Sequence, residues 1–393
     1  MAVAYFALFL LFTVVAANSG DFPPPPYSET CRQGLYPPKE KPTDIATYEV
    51  NLDLPPAKRW AQLAADKAAE MKDLISVIKK LVNSFSGGLI IDLVDKDLPK
   101  LLSGLPADSV AEMQGIAQAA NIPLGEIFLY NVFYEFNAFC TSIVAETPSG
   151  EIHHARDMDF GLLMGWDTQN DTWLLTEKLR PLIVTGDFTR NNQTIFKAVS
   201  FAGYIGVLTG MKPQKFSLTV NERYSVKGSG LSGILKWILG QRTGSWMGFL
   251  TRDVFENVDT YAEAKAVLSS KLLIGPIYFI IGGVNSGEGA VLSRSIEKTI
   301  DTHDLDAKNG TWFVLETNYD RWKAPLFIDD RRTPATRCMN EMGAANATLA
   351  NLFNVLNTKP VLNKLTVYTS LMNVKAGILE TYIRFCADPC WPW

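Results

Sequence analysis

From Trp60 to Val82 the apolar positions recur at three and four residues: Trp60, Leu63, Ala64, Ala68, Met71, Leu74, Ile75, Ile78, Leu81 and Val82, with Lys and Asp between them. That period predicts a long amphipathic helix. A second helical region starts near Ala107, where Asp108 or Ser109 can cap it, and an apolar, aromatic stretch from Ile127 to Phe139 leads into Cys140. Ahead of these, Pro23 to Pro26, Pro37, Pro38 and Pro42 mark an extended strap with little regular structure. The first 139 residues therefore read as mainly helical.

At Cys140 the pattern changes to short β-rich runs: Thr141–Glu146, Thr194–Ser200, Phe216–Asn221, Tyr278–Gly282, Ala290–Arg294 and Thr311–Thr317. Gly150, Gly210, Pro213, Gly287 and Gly289 punctuate them, and Tyr261–Ser269 is helical. Such a chain predicts an α+β fold with a layered sheet core and helices outside. It contains no internal repeat, phosphate-binding glycine loop, zinc-spaced Cys/His set or Gly-x-Ser-x-Gly elbow.

With 393 residues and 47% hydrophobic content, the chain can bury a sizeable core. A net charge of −4 offers no basic field for a nucleic acid. Ala2–Ala17 is almost wholly apolar and is followed by Asn18, Ser19 and Gly20, so residues 1–20 read as a signal peptide whose free amine supplies the positive end. An uncleaved anchor is the alternative, although a spanning helix needs about 20 apolar residues. Four sequons, at Asn170, Asn192, Asn309 and Asn346, agree with secretory entry and are expected to be exposed and glycosylated.

Five cysteines in an oxidising compartment leave one unpaired. Cys386 and Cys390 are close enough to pair locally, and pairing Cys31 with Cys338 ties the two ends together, which leaves Cys140; the spacing alone leaves other pairings open. Cys140 then has two readings, a small buried hydrophobe or a reactive thiol. Only His153, His154 and His303 are available for a Cys–His couple, and strand alternation puts His154 and Arg156 on the opposite face from His153, Asp157 and Asp159. A second route needs no histidine. The thiol attacks the Phe139 carbonyl, hydrolysis of the thioester frees Cys140 as a chain start, and its α-amine, of reference pKa about 8, serves as base.

The runs Cys140-Thr141-Ser142-Ile143-Val144, Arg156-Asp157-Met158-Asp159-Phe160-Gly161, Phe201-Ala202-Gly203-Tyr204, Asn221-Glu222-Arg223, Thr317 to Trp322, Asp329 to Pro334 and Lys359 to Thr366 carry a specific resemblance. In their order and spacing the chain resembles the acid ceramidase family, N-terminal-nucleophile hydrolases of the wider choloylglycine-hydrolase group. The family usually has Asn where Asp157 stands.

The resemblance implies an αββα sandwich of the N-terminal-nucleophile hydrolase type, a helical α-subunit over 21–139, a catalytic β-subunit over 140–393, and self-cleavage between them. It implies hydrolysis of the ceramide amide to sphingosine and fatty acid in the lysosome, with no cofactor. It also implies a Cys31–Cys338 disulfide between the subunits and a local Cys386–Cys390 bond. On this basis Cys140 is nucleophile and base, Arg156 favours its thiolate, Asp159 orients its amine, Asn318 donates to the oxyanion, and Glu222 and Arg331 are supporting charges, with Asn221 and Arg332 beside them.

The bland readings are a surface ion pair for Arg156 and Asp159, a turn bond for Asn318, and a Glu222–Arg331 pair away from substrate. Expected partners are ceramide and related N-acyl lipids, the lysosomal membrane surface and a saposin-type activator. Leu162, Leu163, Met164, Trp166 and the 231–250 stretch with Trp237, Trp246 and Phe249 are either a lipid-facing rim or core. The rival activity is that of an N-acylethanolamine acid amidase, and the rival class is a non-catalytic lipid-binding glycoprotein.

Overall fold

The structure, a computed structural model, describes residues 29–39, 45–87, 98–133, 138–160, 165–224, 233, 236–237 and 239–390. The signal peptide, Pro23 to Pro26, Pro42 and Leu162 to Met164 lie outside these residues. Residues 29–39 have no helix or strand, in keeping with their prolines.

Among the described residues, fifteen strands follow in chain order: β1 (Thr47–Asn51), β2 (Ala138–Glu146), β3 (Ile152–Phe160), β4 (Trp166–Asp167), β5 (Thr172–Trp173), β6 (Ile183–Arg190), β7 (Gln193–Phe201), β8 (Thr209–Lys212), β9 (Phe216–Glu222), β10 (Ile277–Gly282), β11 (Gly289–Arg294), β12 (Thr299–Asp304), β13 (Phe313–Glu316), β14 (Thr366–Asn373) and β15 (Ile378–Ile383). One sheet runs β1-β6-β7-β8-β9-β10-β11-β12 and another β13-β2-β3-β14-β15, with β4 and β5 forming a short hairpin. Every pairing within the two large sheets is antiparallel except β1 with β6.

Three apolar clusters define four layers. Val144, Ile152, Tyr278, Ile280, Val291 and Val314 fill part of the space between the sheets. Ile143, Ala155 and Leu371 on the other face of the five-stranded sheet meet Ala335, Met339, Leu352 and Phe353 of helices Arg332–Met342 and Leu349–Leu356. Phe196, Phe216 and Leu292 meet Val254, Phe255, Ala264 and Leu268 of helices Met247–Asn257 and Tyr261–Ser270. This is the expected αββα sandwich.

The N-terminal region differs in three details. The long helix is broken at Lys67 into Ala61–Asp66 and Ala68–Ser86, although Met71, Leu74, Ile75 and Ile78 still form its buried stripe. Asp108 and Ser109 do not cap; the helix begins at Ala107 after Pro106, so both fall in its first turn. The region is also not purely helical, because β1 adds an edge strand to the large sheet.

Buried groups fix the region in place. Glu112 accepts hydrogen bonds from Arg59 (2.9 Å), Trp60 (2.8 Å) and Arg252 (2.7 Å). Tyr130 donates to Ala202 O at 2.7 Å, and Asn131 donates to Gly203 O at 3.0 Å. Gly203 has φ +90°, and a Cβ there would lie 2.4 Å from Met71 Cε, which explains the glycine in the Phe201–Tyr204 run.

Candidate active site

Cys140 lies on β2 directly opposite Met158 on β3, and Ser142 lies opposite Arg156. Because side chains alternate along a strand, Cys140, Arg156 and Met158 share the face that meets the eight-stranded sheet. Cys140 is fully buried there. Arg156 Nη2 donates to Cys140 Sγ at 2.6 Å and to Val220 O at 3.2 Å, while Nη1 donates to Leu208 O (2.7 Å) and Thr209 Oγ1 (2.6 Å). Burial pushes the thiol above its usual range, Arg156 pulls it back, Asp159 pushes it further up and Arg331 opposes that. Burial outweighs the pull of Arg156, which acts in the expected direction by favouring the thiolate.

Asp159 occupies the other face of β3. Its Oδ2 accepts from Asn363 Nδ2 at 3.1 Å and pairs with Arg331 Nη1 at 3.4 Å, while Oδ1 has no hydrogen-bond partner. Burial raises its carboxyl to about 6 against the pull of Arg331. Asp157 is also raised, by burial and then by Asp159, and accepts from Thr369 at 2.5 Å. Arg156 and Asp159 are thus buried on opposite faces, which excludes the surface ion pair.

Arg331 is the hub of that second face. It donates to Cys140 O (2.7 Å), Asn318 Oδ1 (2.7 Å) and Asp329 Oδ1 (2.9 Å). Asn318 Oδ1 also accepts the Cys140 N–H at 3.0 Å, and its Nδ2 donates to Glu222 O at 2.7 Å. In this geometry Asn318 presents its oxygen to the nitrogen of Cys140 and commits one of its two amide hydrogens to the Glu222 carbonyl. Glu222 enters through its backbone, and Arg331 pairs with Asp159 and Asp329 rather than with Glu222. Asn221 and Arg332 clamp the Asn318 loop, the first through Glu316 O and Thr317 O and the second through Tyr319 O and Asp320 O.

Asp329 and Asn363 are site residues that the reading of the sequence did not single out. Both fall inside the quoted runs Asp329–Pro334 and Lys359–Thr366, and that was the available signal. No Cys–His couple forms: His154 bonds Ser217 and Thr219, and the Sγ of Cys140 contacts Arg156 and Met158. Among the described residues no group of three His, Cys, Asp or Glu is placed to hold a metal.

Cys31 is bonded to Cys338 and Cys386 to Cys390, which leaves Cys140 as the free thiol. Asn170, Asn192, Asn309 and Asn346 are all exposed. Trp237 and Trp246 are buried against each other and belong to the core, not a rim; Trp166 packs on Trp173, and Phe249 is half-buried. Among the described residues, Leu239 of the 231–250 stretch is exposed, as are Trp322, Leu326 and Phe327 on the loop joining Asn318 to Arg331. Among the described residues no helix is long and apolar enough to cross a membrane.

The family model for linear amide C–N hydrolases, choloylglycine hydrolase family, matches residues 140–386, and that for the beta subunit of N-acylethanolamine-hydrolyzing acid amidase matches residues 43–105. The chain belongs to the choloylglycine hydrolase family and is an amide hydrolase. It is 52% identical over 373 residues, 94% of each chain, to the acid ceramidases of Macaca fascicularis and of Homo sapiens. The solved structure of a Caenorhabditis elegans N-acylethanolamine-hydrolyzing acid amidase ortholog is 34% identical with a TM-score of 0.54, over 62% of this chain and all of the other.

Proposed function

We propose that this chain is a lysosomal ceramidase that first cuts itself between Phe139 and Cys140 and then hydrolyses ceramide to sphingosine and a fatty acid. Near-full-length identity of 52% to acid ceramidases supports the reading, and the contact of Arg156 Nη2 with Cys140 Sγ at 2.6 Å carries the chemistry. In the self-cleavage, Sγ adds to the Phe139 carbonyl and the C–N bond breaks with the thiol proton passing to nitrogen. Water then hydrolyses the thioester, leaving a Phe139 carboxylate and a free Cys140 amine and thiol.

With substrate, the freed amine takes the thiol proton as Sγ attacks the amide carbonyl, and returns it to the departing sphingosine nitrogen. Water releases the fatty acid from the acyl-enzyme. Arg156 stabilises negative charge on sulfur, Asp159 orients the freed amine, Arg331 holds the Cys140 carbonyl, and Asn318 is the candidate oxyanion donor. The Cys31–Cys338 bond joins the 21–139 and 140–393 products. Trp322, Leu326 and Phe327 form the surface offered to a lysosomal membrane or a saposin-type activator.

The resemblance of residues 43–105 and of the fold to N-acylethanolamine acid amidases favours a second reading with a smaller amine as leaving group. Mass spectrometry of acid-incubated protein tests both. A chain beginning at Cys140, its absence in Cys140→Ala, and faster fatty-acid release from ceramide than from N-acylethanolamine are expected. An uncleaved wild-type chain, or the reverse preference, overturns the reading.

A further inference from the structure

Between the sheets, beside the apolar cluster of Val144, Tyr278 and Ile280, runs a row of five polar side chains that the proposed chemistry does not use: Ser217, His154, Thr219, Ser142 and Asn221. All five are at most 1% exposed. Burying hydroxyls, an imidazole and a carboxamide in a sandwich core is unfavourable unless each is satisfied, so their pattern of bonds decides what they are for.

The pattern has one direction. Asn221 Nδ2 uses both of its hydrogens on backbone oxygens, Glu316 O and Thr317 O, each at 3.0 Å, so Asn221 Oδ1 must accept. It accepts from Ser142 Oγ at 3.0 Å. With its single hydrogen committed, Ser142 accepts from Thr219 Oγ1 at 2.9 Å. Thr219 in turn must accept from His154 Nε2 at 3.0 Å, and the other ring nitrogen, Nδ1, accepts from Ser217 Oγ at 2.8 Å.

The opposite tautomer turns the Ser217 hydroxyl to Gly282 O at 3.3 Å and sets the Thr219 and Ser142 oxygens lone pair to lone pair at 2.9 Å, which is the poorer network. Burial, with Arg156 nearby, lowers the His154 pKa to about 3, in keeping with a neutral ring that has one donor and one acceptor.

The last member, Asn221, grips the two carbonyls immediately before Asn318, and Asn318 Oδ1 holds the Cys140 nitrogen at 3.0 Å. We propose that Ser217, His154, Thr219, Ser142 and Asn221 form a directional hydrogen-bond chain that sets the position of Asn318, with Thr219 and His154 as positioning residues for the reactions at Cys140. The inference rests on the site proposed above. A displacement of a reacting group by about 1 Å costs about 100-fold in rate, so small losses of registration in this chain are amplified at the thiol.

The test compares Thr219→Val, which keeps the shape and removes both hydrogen bonds, with Thr219→Ser, which restores the hydroxyl. The rate of chain cutting at Cys140, kcat and KM for ceramide, and Tm are measured on the full chain. Thr219→Val is expected to slow cutting and lower kcat by roughly tenfold or more with KM within about twofold, and Thr219→Ser to recover both. Equal rates in wild type and Thr219→Val overturn the inference, as does a matching loss in Thr219→Ser.

Should Thr219→Val fail to fold, 15N NMR of histidine-labelled wild-type protein decides, with the His154 signal assigned by its absence in His154→Gln. A neutral Nε2–H ring supports the chain, and an Nδ1–H ring overturns it. A wild-type protein that cuts itself but leaves ceramide intact sinks the substrate reading without touching this one.

Discussion

The two faces of β3 each bury an arginine, and the two are held differently. Arg156 lies among neutral groups, a thiol, carbonyl oxygens and a threonine hydroxyl, with no carboxylate paired to it and its Nε unpartnered. Arg331, on the other face, is paired with Asp159 and Asp329 and also ties down Cys140 O and Asn318. A buried charge without a counter-charge is costly to the fold, and a buried pair is costly to break. In the proposed reaction the missing anion at Arg156 is the one that appears when the thiol ionises. Arg331 holds the backbone carbonyl of Cys140.

The largest effects should separate these roles. Arg331→Met is expected to lower unfolding stability by about 3–5 kcal/mol in the uncut Cys140→Ala background, because it strands Asp159 and Asp329. Arg156→Met in that background should stay within about 1 kcal/mol of the parent or exceed it, while in the Cys140 protein it should slow self-cleavage by about 100-fold or more. Denaturant titration and cutting kinetics measure both, and equal destabilisation by the two variants breaks the comparison.

A smaller effect sharpens the Asp159 side. Asn363→Ala removes the amide that donates to Asp159 at 3.1 Å and should cost about 1–3 kcal/mol by the same titration. Little or no loss there would show that Arg331 alone satisfies the carboxylate.

The smallest concerns Glu316, which burial raises to about 8. Between the unfolded value near 4.5 and about 8 the folded state holds a proton that the unfolded chain has released, so stability falls as pH rises across this window. The slope is about 1.4 kcal/mol per pH unit. Near pH 7 the histidines, all lowered by burial, are neutral when folded but still partly protonated when unfolded, which adds a slope of opposite sign that fades by pH 8. Measured as a difference from wild type over pH 7 to 8, Glu316→Gln should make the decline shallower, with the histidine and raised Asp157 backgrounds common to both proteins. An unchanged slope removes Glu316 as its source.

Where local pattern and final pairing agree, the sequence was readable. Thr194–Ser200 and Tyr278–Gly282 fall within one residue of β7 and β10 at each end, because alternating or wholly apolar runs bounded by turns need no distant information. Cys140 and Arg156 were readable for a related reason: a tight hairpin joins β2 to β3, so their spacing fixes their register. β14 was missed because it is buried throughout yet half polar, with Thr369, Ser370 and Asn373 satisfied by side chains from elsewhere and Thr366 by the Asn363 N–H. The Asn363–Asp159 contact spans 204 residues, and no local pattern encodes such a pair. The inward turn of Asn318's oxygen was equally hidden, since it depends on Arg331 and Cys140 together.

β1 pairs Thr47 with Thr185 and Asn51 with Thr189, so residues on both sides of Cys140 build one sheet. The proposed cut before Cys140 converts that sheet from the product of one chain into a joint property of two. The Cys31–Cys338 bond then sets the molecularity of folding: while it is intact the β1 segment is always at high effective concentration, and once it is reduced reassembly becomes a second-order event. The proposed cut is thus also a change in the kind of equilibrium that keeps the molecule whole.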